Sequence, residues 1–190
     1  METLSSLVRE HQYIKRLVTA LNEYSFRVKC ASSADPEDLR AFARAFAQFV
    51  DEVHHEKEER VLLPFLARHG FDWDAPPLSL VRTEHQHECA LIEALTQAGE
   101  RLMGWTDEER RHVSAVASAL CEHQMKHHHT ENERLFSEVV ARLDAEAARQ
   151  LQAELEAFDS VPRHSDRGAA ARALGETLIA RYSVAEQAER

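Results

Sequence analysis

One chemical phrase occurs twice in this chain. Glu10-His11-Gln12 returns as Glu84-His85-Gln86. Each copy is followed by a histidine cluster that ends in glutamate: His54-His55-Glu56-Lys57-Glu58, then His127-His128-His129-Thr130-Glu131. The spacing is conserved within the chain, with 43 positions from His11 to His54 and 42 from His85 to His127. A histidine and a glutamate four residues apart share one face of an α-helix. The doubled pattern therefore predicts two half-sites, built from His11, His54, His85 and His127 with Glu58 and Glu131. Four imidazoles and two carboxylates suit iron, manganese or zinc, and the thiolate set of a structural zinc site is missing. A carboxylate can also bridge two ions about 3.5–4 Å apart.

The ligand pattern needs helices that turn these residues inward. Helix A is expected from about Leu4 to Lys29, behind Thr3 as N-cap. Helix B starts at Asp35-Pro36, a capping side chain followed by proline at the first helical position. It stops near His69-Gly70, with Pro64 expected to bend or interrupt its last turns. Helix C follows Pro76-Pro77 and runs to about Met103. Helix D opens on Thr106-Asp107-Glu108-Glu109, a capping box, and runs to about Leu143. Short connections predict an all-α, antiparallel up-down-up-down four-helix bundle over residues 1–143. Residues 144–190 read as a C-terminal helical extension packed on the same domain. It comprises one helix over 144–159, a break at Ser160-Val161-Pro162, and another helix over 167–187.

The apolar rows decide which polar residues point inward. In helix B, His54 and Glu58 continue the row of Val50 and Leu62. In helix D, His127 and Glu131 lie between Leu120 and Leu135. His11 lies between Leu7 and Ile14, and His85 between Val81 and Ile92. An unpaired buried carboxylate costs several kcal/mol or takes up a proton, so a metal is the economical explanation of two of them. The rival pairs His55/Glu59 and His129/Glu133 have the same spacing. The row through His55 carries Gln48, Glu52 and Glu59 and reads as a solvated face. The row through His129 carries Ser118, Glu122 and Met125 and is a poor core row.

Composition narrows the function classes. The chain has 190 residues, 44% of them hydrophobic and 29% charged, as in a soluble globular protein. Five glycines and five prolines among many Ala, Leu, Glu and Arg residues favour helix. A net charge of −10 disfavours nucleic acid and anionic membranes as partners. Three cysteines without CxxC spacing fit a reducing cytosol rather than a disulfide framework. Neither a signal peptide nor a membrane span is expected, and the reading is a cytoplasmic monomer or homodimer.

The linked motifs resemble the hemerythrin-like, or HHE cation-binding, family over roughly residues 5–142. The resemblance rests on Glu10-His11, His54-His55-x-x-Glu58-Glu59-x-x-Leu62-Leu63-Pro64, Glu84-His85, and His127-x-x-x-Glu131-x-x-x-Leu135-Phe136. It implies a four-helix bundle with two irons joined by an oxo or hydroxo bridge. It also implies that His11, His54, His85 and His127 are terminal ligands and that Glu58 and Glu131 bridge. Two departures stand out. Oxygen carriers of the family have a further histidine where this chain has Cys89, and an aspartate bridge where it has Glu131. His55, His128 and His123 are the candidates for the missing nitrogen.

The resemblance implies two function classes. One is binding or sensing of oxygen, nitric oxide or another small ligand. The other is a di-iron redox enzyme that decomposes peroxide. Iron storage by a ferritin-like carboxylate centre is a weaker alternative. Glu52-x-x-His55 and Glu84-x-x-His87 match its local motif, but on consecutive helices rather than alternate ones. Other histidines have plainer readings: His87 points elsewhere, and His69, His112 and His164 read as surface residues. Tyr13 and Tyr24 are expected to pack between helices, and Cys89 to be a small buried hydrophobe.

Overall fold

The computed structural model describes residues 3–30, 34–101 and 105–183. Among them every regular element is helical. Helix α1 is Ser5–Lys29, α2 spans residues 36–68, α3 is Leu78–Arg101, and α4 spans residues 107–142. Two further helices follow, α5 at Ala145–Asp159 and α6 at Pro162–Arg181. Helix α1 packs on α4, α4 on α3, α3 on α2, and α2 back on α1.

Local chemistry explains most of the boundaries. Asp35 caps α2 by accepting from the Glu37 amide at 2.9 Å, with Pro36 in the first turn. Thr106 and Glu109 form the full capping box of α4. Gly70, at φ 85°, follows the end of α2, where a Cβ would be strained. Two expectations change. Thr3 does not cap α1: Leu4 occupies that position and no side chain bonds the free amides. Helix α6 begins at Pro162, because proline, which cannot continue α5, suits the first turn of the next helix. Met103 and residues beyond 183 lie outside the described segments.

Helix α2 does not break at Pro64. It is π-helical over Phe46–His55 and Glu58–Leu62, and returns to α geometry at Leu63–Arg68. Proline has no amide to give to the residue four back, and a widened turn just before it accommodates its ring. Helix α4 has a matching π turn over Glu131–Leu135. Each π stretch falls on a histidine–glutamate motif.

The apolar core comes in two parts with the polar motifs between them. One part holds Ile14, Leu17, Phe42, Phe46, Leu95 and Leu120, and the other Leu7, Leu62, Phe65, Val81, Leu135 and Leu151. Tyr13 and Tyr24 belong to the packing: Tyr13 meets Phe49 edge-on, and the Tyr24 hydroxyl donates to the Asp35 carbonyl at 3.1 Å. Helix α6 lies across α1 and α2. At Gly175 it comes so near α1 that an added Cβ would stand 1.9 Å from the Tyr13 hydroxyl oxygen. No described helix is long and apolar enough to cross a membrane.

Candidate metal centre

The six principal sequence-derived residues meet inside the protein. His11, His54, Glu58, His85, His127 and Glu131 are all buried. Two further histidines join them, His55 and His128, and the eight form two facing groups. In the first, single ligand atoms of His11, His54, His128 and Glu131 all lie within 4.8 Å of one another. The second holds His55, His85 and His127, and Glu58 and Glu131 join the last two of these.

The grouping follows the internal repeat with an exchange. An offset of 73 or 74 residues maps His11 to His85, His54 to His127, His55 to His128 and Glu58 to Glu131. Each half of the chain thus gives two histidines to one group and lends its third to the other. Both carboxylates reach both groups. Glu58 lies 3.8 Å from His54 Nε2 and 3.2 Å from His85 Nε2. Glu131 Oε2 lies 3.3 Å from His11 Nε2 and 3.4 Å from His127 Nε2.

Four imidazoles are oriented from behind. His54 Nδ1 donates to Glu10 Oε2 at 2.9 Å, and His127 Nδ1 to Glu84 Oε2 at 3.0 Å. His85 Nδ1 donates to Glu59 Oε1 at 3.0 Å, and His11 Nδ1 to Asn132 Oδ1 at 3.2 Å. The repeat recurs here as well. The glutamate of each Glu-His-Gln phrase orients the cluster histidine of the same half, and the residues after Glu58 and Glu131 each orient a histidine of the other half. Bonds of this kind fix the tautomer of a ligand histidine and aim its other nitrogen. His55 and His128 have no comparable hydrogen bond.

The inward atoms lack partners. No hydrogen bond is made by Nε2 of His11, His54, His55, His85, His127 or His128, nor by either oxygen of Glu58 or Glu131. The short distances above are therefore contacts without hydrogen-bond alignment. Buried polar atoms are normally satisfied, so a cluster of orphans converging on one volume fits a metal centre. Six imidazoles and two carboxylates match the donor set of borderline transition metals.

The charges fit the same picture. Burial works against the His11 cation, but Glu131 and Glu58 outweigh it and lift its pKa to about 10. Burial also works against the two anions. His54, His11 and His85 nevertheless hold Glu58 well below the carboxylate range, and His127 and His11 lower Glu131 despite repulsion from Glu58. Burial pushes His54 down and His128 well down from the usual imidazole range, which favours the form with a lone pair to share.

Several sequence expectations are corrected. His55 does not sit on a solvated face. It is buried, because the π-helical turn lets consecutive histidines point inward and because α6 covers this side, with Arg167 paired to Glu52. His128 is buried too, and His129 is exposed. His123 joins neither group: its Nε2 donates to the Glu84 carbonyl at 3.0 Å. His164 is not a surface residue. It is buried, stacks on Phe158 and donates to that residue's carbonyl at 3.1 Å. Cys89 is half-buried and donates to Asp51 at 3.0 Å rather than packing as a plain hydrophobe.

Three residues near the centre were missed. Glu88 is fully buried, 3.3 Å from His55 Nε2, and neither of its oxygens is hydrogen-bonded. Its signal was available: it lies three residues past His85 and four before Ile92, on the same helix face. Lys57 is fully buried between Glu10 and Asp159, the latter at 2.6 Å, and so ties α5 to the carboxylate that orients His54. Gln124 is fully buried and both its amide atoms lack partners.

Residues 3–75 match the hemerythrin HHE cation binding domain. The match takes in His11, His54, His55 and Glu58 and stops before the second half-site. No curated protein and no solved structure matches the chain.

Proposed function

We propose that this protein is a hemerythrin-like antiparallel four-helix bundle, α1 to α4, that holds two iron ions and handles a small ligand such as oxygen, nitric oxide or peroxide. The observation that carries this reading is the pair of facing groups, three imidazoles each, joined by two buried carboxylates that reach both. His11, His54 and His128 would hold one ion, and His55, His85 and His127 the other. Glu58 and Glu131 would span the pair. When bound, iron would supply reversible redox chemistry and a position for the small ligand.

The protein's own part is to orient, exclude water and manage protons. Glu10, Glu84, Glu59 and Asn132 hold four imidazoles in the tautomer that presents Nε2 to the centre. The apolar core on both sides keeps bulk water away and strengthens the electrostatics inside. His11 must give up the proton that Glu131 and Glu58 favour before its nitrogen can bind.

A second reading is enzymatic, a di-iron centre that decomposes peroxide. The half-buried Cys89, standing where oxygen carriers of the family have histidine, favours it over stable oxygen carriage. The test is optical and gas-exchange work on iron-loaded, anaerobic protein. Spectral change with oxygen, nitric oxide or peroxide supports the small-ligand reading. Oxygen evolution from peroxide that is lost in Glu58→Ala and Glu131→Ala selects the enzyme. No spectral response to any of the three would reject both.

A further inference from the structure

The two groups hold three imidazoles each but differ in what surrounds them: Glu88 stands 3.3 Å from His55 Nε2, where the repeat places Ile14 on the other side. On the side of His128, a cavity of about 800 Å³ opens between α1 and α4 and reaches His11, Gln124 and His128. On the side of His55, the repeat-related surface is a smaller recess of about 410 Å³ lined by Asp51, Glu52, His55 and Glu59. The correspondence is close: Asp51, Glu52, His55 and Glu59 map by the 73-residue offset onto Gln124, Met125, His128 and Asn132. The lining differs, three carboxylates against Gln124, Met125 and Asn132, and so does the cover. Arg163 and Arg167 of α6 line the second recess, and Arg167 pairs with Glu52. The larger cavity has no such cover from α6.

Two features mark the open side as a docking position. Gln124 is fully buried, lines the cavity and leaves both its amide oxygen and its amide nitrogen unpaired. Leaving such atoms unsatisfied is costly, and a polar guest removes that cost. One helical turn on, His128 also lines the cavity, and its Nε2 is an orphan. Unlike His11, His54, His85 and His127, it has no acceptor behind it to fix its ring. An imidazole without that support is the easiest one to displace.

We infer that the cavity between α1 and α4 is the access route and docking site for the small ligand, with Gln124 hydrogen-bonding the bound guest and His128 the imidazole that yields to it. This rests on the di-iron reading. The guest is a molecule of two or three atoms that can accept a hydrogen bond from the amide nitrogen or donate one to its oxygen. Gln124 is then the residue that sets specificity, and the side of His55 remains the supporting half of the centre.

Azide, a triatomic acceptor, is a suitable probe of the ferric, iron-loaded protein. Iron content is measured first, since a wild-type chain that does not hold two irons overturns the di-iron reading itself. Given two irons, Gln124→Leu, similar in size, should weaken azide at least tenfold and shift the infrared stretch of bound azide. Its iron content should stay the same and its melting temperature should not fall. His128→Ala should bind azide, per iron retained, at least as tightly as wild type. Gln12→Trp at the cavity mouth should slow azide association. Unchanged azide affinity in Gln124→Leu would overturn the role of Gln124. Weaker azide binding per iron retained in His128→Ala would overturn the displaceable role of His128. An unaltered association rate in Gln12→Trp would overturn the route.

Discussion

Glu84 holds His127 across the junction of α3 and α4, accepting from its Nδ1 at 3.0 Å, just as Glu10 holds His54 across α1 and α2 at 2.9 Å. Each glutamate sits next to a histidine that itself faces the centre. The Glu-His-Gln phrase therefore does two jobs: its histidine faces the metal volume, and its glutamate orients the cluster histidine of the same half. Loss of such support typically lowers metal affinity roughly tenfold to a hundredfold. Glu84→Ala and Glu10→Ala should each show a loss of that size in chelator competition while remaining helical by circular dichroism. Unchanged affinity in both would mean that the carboxylates only pack.

Metal uptake should release protons. With Glu131 and Glu58 lifting its pKa to about 10, His11 is protonated at pH 8 in the metal-free protein and must be deprotonated to bind. Titration of metal into weakly buffered protein should therefore release at least one proton per chain. Apparent affinity should fall as pH falls. Uptake at pH 8 with no proton release would contradict the charge state given to His11.

The metal-free protein should lose stability as pH rises. The folded pKa of His11, about 10, lies above its ordinary value of 6.5. Its contribution is thus complete below pH 6.5 and fades as pH rises toward 10. Glu58 and Glu131 are lowered from 4.5, so their contribution is complete above that value and lost as pH falls below it. His54 and His128, lowered by burial, cost stability as pH falls below 6.5, so melting temperature without metal should peak near pH 6.5. A melting temperature that climbs steadily from pH 6.5 to 9 would oppose this.

Metal should raise the melting temperature, and the gain should depend on the buried histidines. At a metal concentration a hundred times the dissociation constant the gain is about 2.7 kcal/mol, or roughly 5–11 °C for a chain of this size. His11→Ala or His85→Ala should remove most of it. His112→Ala, at an exposed position, should leave it intact. His164 cannot serve as this control, because it is buried against Phe158. Equal losses in all three variants would remove the basis for the assignment.

The helical fold and the core-facing row of six residues were legible because repeat spacing and apolar rows are local properties. His54 and Glu58 continue the row of Val50 and Leu62, and no tertiary information was needed to see it. His55 was not legible for two physical reasons. Row arguments assume 3.6 residues per turn, and Phe46–His55 is π-helical. The face carrying Glu52 also looked solvated because its cover, α6, comes more than a hundred residues later. His164 was misread on similar grounds, its burial being created by the turn between α5 and α6. Glu88 was readable from its row, three residues past His85 and four before Ile92.

The central claim is that one chain holds two metals spanned by Glu58 and Glu131. The most direct measurement is the iron-to-chain ratio of iron-reconstituted protein after gel filtration, for wild type, Glu58→Ala and Glu131→Ala. Two irons per chain in wild type, with a clear loss in each variant, is the predicted result. A reproducible maximum of one iron per chain, the same in all three proteins, would contradict it.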